Sequence, residues 1–187
     1  DAIIHVVRCF EDPNIIHVDG SIDPMRDLET INMELIFSDM EMLERRIDRV
    51  KKSMKGDKTL GGELELLERV YAALSDGKNA RSLDYTEDEL AIMQDCQLLS
   101  MKPVIYAANI SEDEIGSDMS DNAGYQKLAA YAAAEKSQIM PICAGIEAEI
   151  AQLDGEEKTE FLKDLGIKES GLDRLIKASY ALLGLIS

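Results

Sequence analysis

Apolar residues crowd the start of the chain, where Ile3, Ile4, Val6, Val7, Cys9 and Phe10 follow one another with little interruption. A short β-branched run of this kind fits a strand buried on both faces of a parallel sheet. Asp12-Pro13-Asn14 ends it, and Asp19-Gly20 and Asp23-Pro24 mark a loop before Pro24. From Met25 the period changes, because Ile36, Met40, Leu43, Ile47, Val50 and Met54 alternate steps of four and three, the seam of a coiled coil. A turn marked by Gly56, Gly61 and Gly62 follows, and Leu60, Leu64, Leu67, Tyr71 and Leu74 repeat the same steps. A long antiparallel helical hairpin is expected. Thr86 is placed to cap a third helix, with Glu89 reaching back to it, and that helix is expected to end near Leu99.

Buried-strand patterns then return. Pro103 to Ala108 reads as a second strand, a helix is expected from about Asn122 to Lys136, and Ile139 to Cys143 reads as a third strand. Ala144-Gly145 opens a helix toward Leu153. After an acidic stretch from Asp154 to Glu160, Ser170 caps a last amphipathic helix with Leu172, Leu175, Ile176, Leu182 and Leu183 expected inward. Strands alternating with helices predict an α/β fold, a partial doubly wound parallel sheet with right-handed crossovers, interrupted by the helical hairpin. About three strands leave the sheet an open hydrophobic edge. With no initiator Met and no leading loop, the chain reads as a piece of something longer.

Composition narrows the function classes. Asp and Glu number 37 against 20 Lys and Arg, a net charge of -17 that disfavours a diffuse grip on nucleic acid or on an anionic membrane. Contact with RNA has to be local, and sequence-specific DNA binding is not expected. The local candidate is the hairpin face carrying Arg45, Arg46, Arg49, Lys51 and Lys52, which reads either as a solvated helix face or as a contact for RNA or the ribosome. Cys9, Cys96 and Cys143 are far apart and lack metal-ligand spacing, so they read as reduced, buried thiols and no metal site is expected. No apolar run approaches the roughly 20 residues of a membrane span, and a cytoplasmic protein is the expectation. The oligomeric state is left open.

In open α/β sheets ligands bind beyond the carboxyl ends of the strands. After the second strand comes Asn109-Ile110-Ser111-Glu112, an Asn and an acid at the spacing of the Asn-Lys-x-Asp base loop of GTPases. After the third comes Cys143-Ala144-Gly145, where those proteins place backbone N–H groups against the base. The Asn side chain can offer N–H to adenine N7 and its carbonyl to the N6 amino group. Glu112, longer than Asp, does not sit at the guanine donor pair, and Ile110 offers apolar cover for a base face. On the residues alone the alternative is a polar turn at a strand end. His17 lies in a polar loop, and His5 within an apolar strand reads as a core histidine.

The strings Asp1 to Phe10, Asn14 to Gly20, Asp27 to Glu34, Ala107 to Glu112, Pro141 to Glu149 and Ser170 to Ile176 together closely resemble the YchF (Obg-like ATPase) family, and the resemblance covers essentially the whole chain. It implies a P-loop NTPase in which residues 1–24 and 100–187 form the C-terminal part of the nucleotide-binding domain, residues 25–99 form an inserted coiled-coil domain, and a TGS domain follows. It further implies ATP bound in preference to GTP with Mg²⁺, association with ribosomes, Asn109, Ile110, Glu112, Cys143, Ala144 and Gly145 at the base, and His17 positioning the attacking water. The chain departs from the family in having no G-x-x-x-x-G-K-[S/T] string and no switch acid, so by itself it is expected to be inactive. The alternative function is a non-catalytic hairpin that docks a protein or ribosomal partner. A cysteine-based redox enzyme is disfavoured by the lack of a Cys-x-x-Cys pair.

Overall fold

The computed structural model describes residues 1–11 and 22–185; His17, Asp12-Pro13-Asn14 and Asp19-Gly20 lie outside the described residues. The strands are β1 (Ile3–Arg8), β2 (Val104–Asn109) and β3 (Gln138–Ile142). The helices are α1 (Pro24–Ser53), α2 (Gly61–Ser75), α3 (Glu87–Cys96), α4 (Ala123–Ala134), α5 (Ala144–Ile150), α6 (Gly155–Asp164) and α7 (Gly171–Leu182). They form two compact units, Asp1–Leu28 with Pro103–Ser187, and Glu29–Lys102.

In the first unit the strands form one parallel sheet in the order β1-β2-β3. The register sets Arg8 beside Asn109 and Asn109 beside Ile142, so these three residues share the carboxyl edge. The central strand β2 is buried from Val104 to Ala108, as its continuous apolar run predicts. β1 alternates instead: His5 and Val7 are buried, whereas Ile4 and Val6 are exposed. The alternation sorts the faces. Val7, Val104, Tyr106 and Ala108 pack with Leu128 and Ala132 of α4 and with Leu28, while Ile142, on the opposite face, meets the start of α7. Helices on both faces of a parallel sheet make this the partial doubly wound α/β fold. His5 packs its ring 5.7 Å from that of Tyr106, and Gly124 lets Pro24 approach α4, since a Cβ there would lie 2.9 Å from Pro24 Cγ.

α1 owes its start to Asp23, whose Oδ1 accepts from the Met25 and Arg26 N–H groups at 3.1 and 3.3 Å, with Pro24 pre-set for the first helical position. With Asp27 in its first turn and Lys51 and Lys52 in its last, the helix is matched to its own dipole. In the second unit Ile36, Leu43, Ile47 and Val50 of α1 bury against Leu66, Leu67, Val70 and Leu74 of α2 and Met93 of α3. Each such side chain contributes about 1.5–3 kcal/mol on full burial. Lys51 pairs with Glu68 near the turn, and Glu44 accepts from the Tyr71 hydroxyl farther along, as an antiparallel hairpin requires. Thr86 caps α3 in the expected box with Glu89.

Three local expectations give way, and one helix appears where none was assigned. Gly61 and Gly62 form the first turn of α2 instead of belonging to the connection. α3 ends at Cys96, three residues before Leu99, because Gln97 turns left-handed at φ 54°. The acidic stretch after Asp154 is helical, as α6, with Phe161 and Leu162 packing on a cluster around Ile110 and Ile146. In α7, Leu172, Ile176 and Leu183 are 48%, 47% and 40% exposed instead of inward. That helix packs on the edge strand β3, a narrow contact that leaves part of its apolar stripe uncovered.

Candidate functional site at the carboxyl edge of the sheet

Two loops leave the carboxyl edge side by side. The β2–β3 ladder extends one step past the strands through Ile110 N–H to Ile142 O at 3.0 Å, and Cys9 N–H joins Asn109 O at 2.8 Å. Asn109 Oδ1 then accepts from Ala144 N–H at 3.0 Å, locking the loop after β2 to the one after β3. Glu112 Oε1 lies 3.3 Å from where a Cβ on Gly145 would stand, so the carboxylate is drawn over the glycine. The structure therefore brings Asn109, Glu112, Ala144 and Gly145 together, with Glu112, Ala144 and Gly145 exposed.

Cys143 and Ile110 belong to the layer beneath. Ile110 is 3% exposed and Cys143 8%, and both pack with Met119, Ile146 and Ile150. The side chain of Ile110 thus holds the loop down and does not offer the apolar cover for a base that the sequence suggested. The Asn109 carbonyl already spends one of its two lone pairs on Ala144 N–H, and its amide Nδ2 can donate. Adenine and guanine both carry N7, so a single donor there holds a purine without choosing between them.

The loop after β2 is shaped by a residue the sequence reading passed over. Glu114 accepts from the Ser111 N–H and hydroxyl at 3.0 and 2.9 Å, a capping box that sets the tight turn carrying Glu112. Burial alone pushes the Glu114 carboxyl up, but these bonds and one from Asn122 outweigh it and hold it below the usual carboxylate range. Asn122 Nδ2 donates to both Glu114 Oε1 and Cys9 O, at 2.7 and 2.8 Å, fastening the loop to the end of β1. The pattern Ser111-x-x-Glu114 was readable as a capping box; the Asn122 bridge, 113 residues from Cys9 in sequence, had no local signal.

All three thiols are buried. Burial first, then nearby Glu114, pushes Cys9 up to about 12, and burial raises Cys96 as well. Among the described residues no group of three His, Cys, Asp or Glu side chains is placed to hold a metal ion. No helix among them is long and apolar enough to cross a membrane.

No family model matches the chain. It is 52% identical over 186 residues, 99% of its length and 50% of the relative's, to the protein named ribosome-binding ATPase YchF in Bacillus subtilis (strain 168). It is 37% identical over 189 residues to Obg-like ATPase 1 of Oryza sativa subsp. indica, covering 100% of this chain and 47% of the relative. A solved structure, the YchF GTPase of Schizosaccharomyces pombe, matches with a TM-score of 0.80 at 32% identity over 98% of this chain and 50% of that one. The chain belongs to the YchF/Obg-like ATPase family. It spans about half the length of the curated relatives it matches.

For a YchF/Obg-like chain, the second surface to weigh is the basic face of the hairpin. Arg46 donates twice to Glu63 Oε1, at 3.0 and 2.8 Å, and Lys51 pairs with Glu68 at 2.7 Å. Two of the five cations therefore serve the hairpin itself. Arg45, Arg49 and Lys52 are exposed, and Arg49 Nε donates to Arg45 O, a neutral acceptor.

Proposed function

We propose that this chain is the base-recognition portion and helical arm of a cytoplasmic, ribosome-associated ATPase that binds ATP in preference to GTP. In this reading residues 1–24 and 100–187 belong to the nucleotide-binding domain and residues 25–99 are an insertion in it. The phosphate-binding loop, the Mg²⁺ ligands and the TGS domain are parts of the longer protein outside these 187 residues. The observation that supports the reading is the 3.0 Å bond from Ala144 N–H to Asn109 Oδ1, which holds the loops after β2 and β3 together at the carboxyl edge, where open sheets bind ligands.

Asn109 donates to purine N7, exposed backbone at Ala144 and Gly145 approaches the base edge, and Ile110 and Cys143 support the loops from below. Selection falls to Glu112. A carboxylate that only accepts, already bent over Gly145, is poorly placed for the paired donors of guanine but can take one proton of the adenine amino group. His17 is assigned to the attacking water, which an imidazole orients by hydrogen bonding. The test is calorimetric titration of ATP and GTP into the full-length protein and its Glu112→Asp variant. Shortening the acid is expected to narrow the preference for ATP; an unchanged ratio overturns the assignment. Replacing Ile110 by Lys as well is a poor test, since it drives a charge into a buried position.

The exposed Arg45, Arg49 and Lys52 favour a companion reading in which the hairpin contacts ribosomal RNA. Reversing these three charges in the full-length protein is expected to abolish co-sedimentation with ribosomes while leaving ATP affinity unchanged. Undiminished co-sedimentation removes this face from the interface.

A further inference from the structure

We propose that Glu147 couples the second base loop to helix α7, so that seating a purine and placing α7 are linked events. The inference rests on the base-pocket reading above. Glu147 N–H donates to Cys143 O at 3.0 Å, which makes its backbone part of the turn presenting Ala144 and Gly145. Its side chain leaves α5 and reaches α7. The two carboxylate oxygens accept from Gly171 N–H at 2.6 Å and Leu172 N–H at 3.1 Å.

These are the first two amides of α7, donors that have no acceptor within their own helix. Ser170, buried at 2% exposure, takes the third through Asp173 N–H at 3.0 Å. The contact depends on Gly171 having no side chain, since a Cβ there would stand 2.9 Å from Glu147 Oε1 and 3.3 Å from both Cγ atoms of Ile142. One turn on, Arg174 donates to Pro141 O at 3.0 Å. The start of α7 is thereby tied to the junction of β3 and α5, the segment that carries the second base loop.

Beyond this clamp Ile176, Tyr180 and Leu183 are exposed, and Leu175, Ala178 and Leu182 are only half-buried. A cavity of about 270 Å³, lined by Ile110, Pro141, Glu147, Gly171 and Arg174, lies beside the start of α7. A helix fastened at one end beside unfilled space can take a second position, and the carboxylate that fastens it stands four residues from Cys143. Any ligand that prefers one loop position then biases α7, and by linkage a partner that displaces α7 changes the affinity for the ligand. Glu147 is a positioning residue here; it does not touch the base.

The experiment uses the full-length protein. ATP and GTP affinities are measured by calorimetry, and amide exchange across 170–176 is followed with and without ATP. In the unsubstituted protein ATP is expected to slow exchange at Gly171 and Leu172. Glu147→Gln, which turns a donor toward those amides, and Gly171→Ala, which pushes the carboxylate away, are each expected to weaken ATP binding about 5-fold or more. The ratio of ATP to GTP affinity stays constant, because the clamp positions the loop without reading the base, and Glu147→Asp restores part of the affinity. Faster exchange at 171–172 in both variants with ATP affinity unchanged overturns the coupling and leaves a purely structural clamp. Absence of ATP binding in the unsubstituted protein overturns the base-pocket reading itself, and it is visible before any substitution is made.

Discussion

Glu114 joins three donors, the Ser111 N–H, the Ser111 hydroxyl and the Asn122 amide, and through Asn122 it reaches the end of β1. Its carboxyl is held below the ordinary value, so the folded state prefers it ionised. The stabilisation is therefore complete above the unfolded carboxyl range and is lost as pH falls through the depressed folded value. Glu114→Gln is expected to cost about 1–2 kcal/mol at neutral pH. It should also flatten the loss of stability on acidification below about pH 4.5, which urea titrations at several pH values will show. An unchanged acid limb rules the carboxylate out as a contributor. The same residue marks how far a sequence reaches. The spacing of Asn109 and Glu112, and a position after a buried strand, were enough to single both out, and the structure brings them together with Ala144 and Gly145. Which lone pair of Asn109 is free, and whether Ile110 points outward or inward, depends on the loop after β3, and no pattern in the strand itself encodes that.

Asp39 shows the corresponding limit for elements. It lies in the middle of α1, is 0% exposed, and both its oxygens accept backbone N–H groups, from Leu99 and Ser100, at 2.7 Å. The four-three apolar seam of α1 was plain in the sequence because periodicity is a local property. The acid among those residues had no such signal, since its partners lie 60 and 61 positions away. Asp39→Asn keeps the shape but can accept only through one atom, leaving a buried N–H facing an NH₂ group. A loss of about 1–3 kcal/mol is expected, read as a lower urea midpoint. A midpoint within error of the unsubstituted protein removes Asp39 as the latch on this segment. α6 was missed for a related reason: its apolar residues Phe161 and Leu162 are too few to show a period, and the helix is fixed by the cluster around Ile110 and Ile146 that it joins. α7 had the opposite fault, a clear stripe from which burial was inferred although Leu172, Ile176 and Leu183 stand exposed.

At the scale of the whole chain, the net charge of -17 acts on every contact at once. Two effects of salt oppose each other. Added ions screen the attractive pairs, of which Arg46–Glu63 is partly buried while Lys51–Glu68, Lys158–Asp173 and Arg69–Glu89 are more exposed. Exposed pairs contribute about 0–1 kcal/mol each, so screening them removes little. The same ions screen the mutual repulsion of 37 acids against 20 bases, which compaction makes worse. The repulsive term involves many more charge pairs than the few bridges do, and it extends over distances comparable with the Debye length, about 30 Å at 0.01 M and about 8 Å at 0.15 M. The melting temperature is therefore expected to rise by a few degrees between these ionic strengths, with about 2–4 °C for each kcal/mol gained. Sodium chloride and a neutral osmolyte at matched osmolality separate screening from surface exclusion. A melting temperature that falls with salt would mean that the bridges, and above all Arg46–Glu63 in the hairpin, outweigh the net charge.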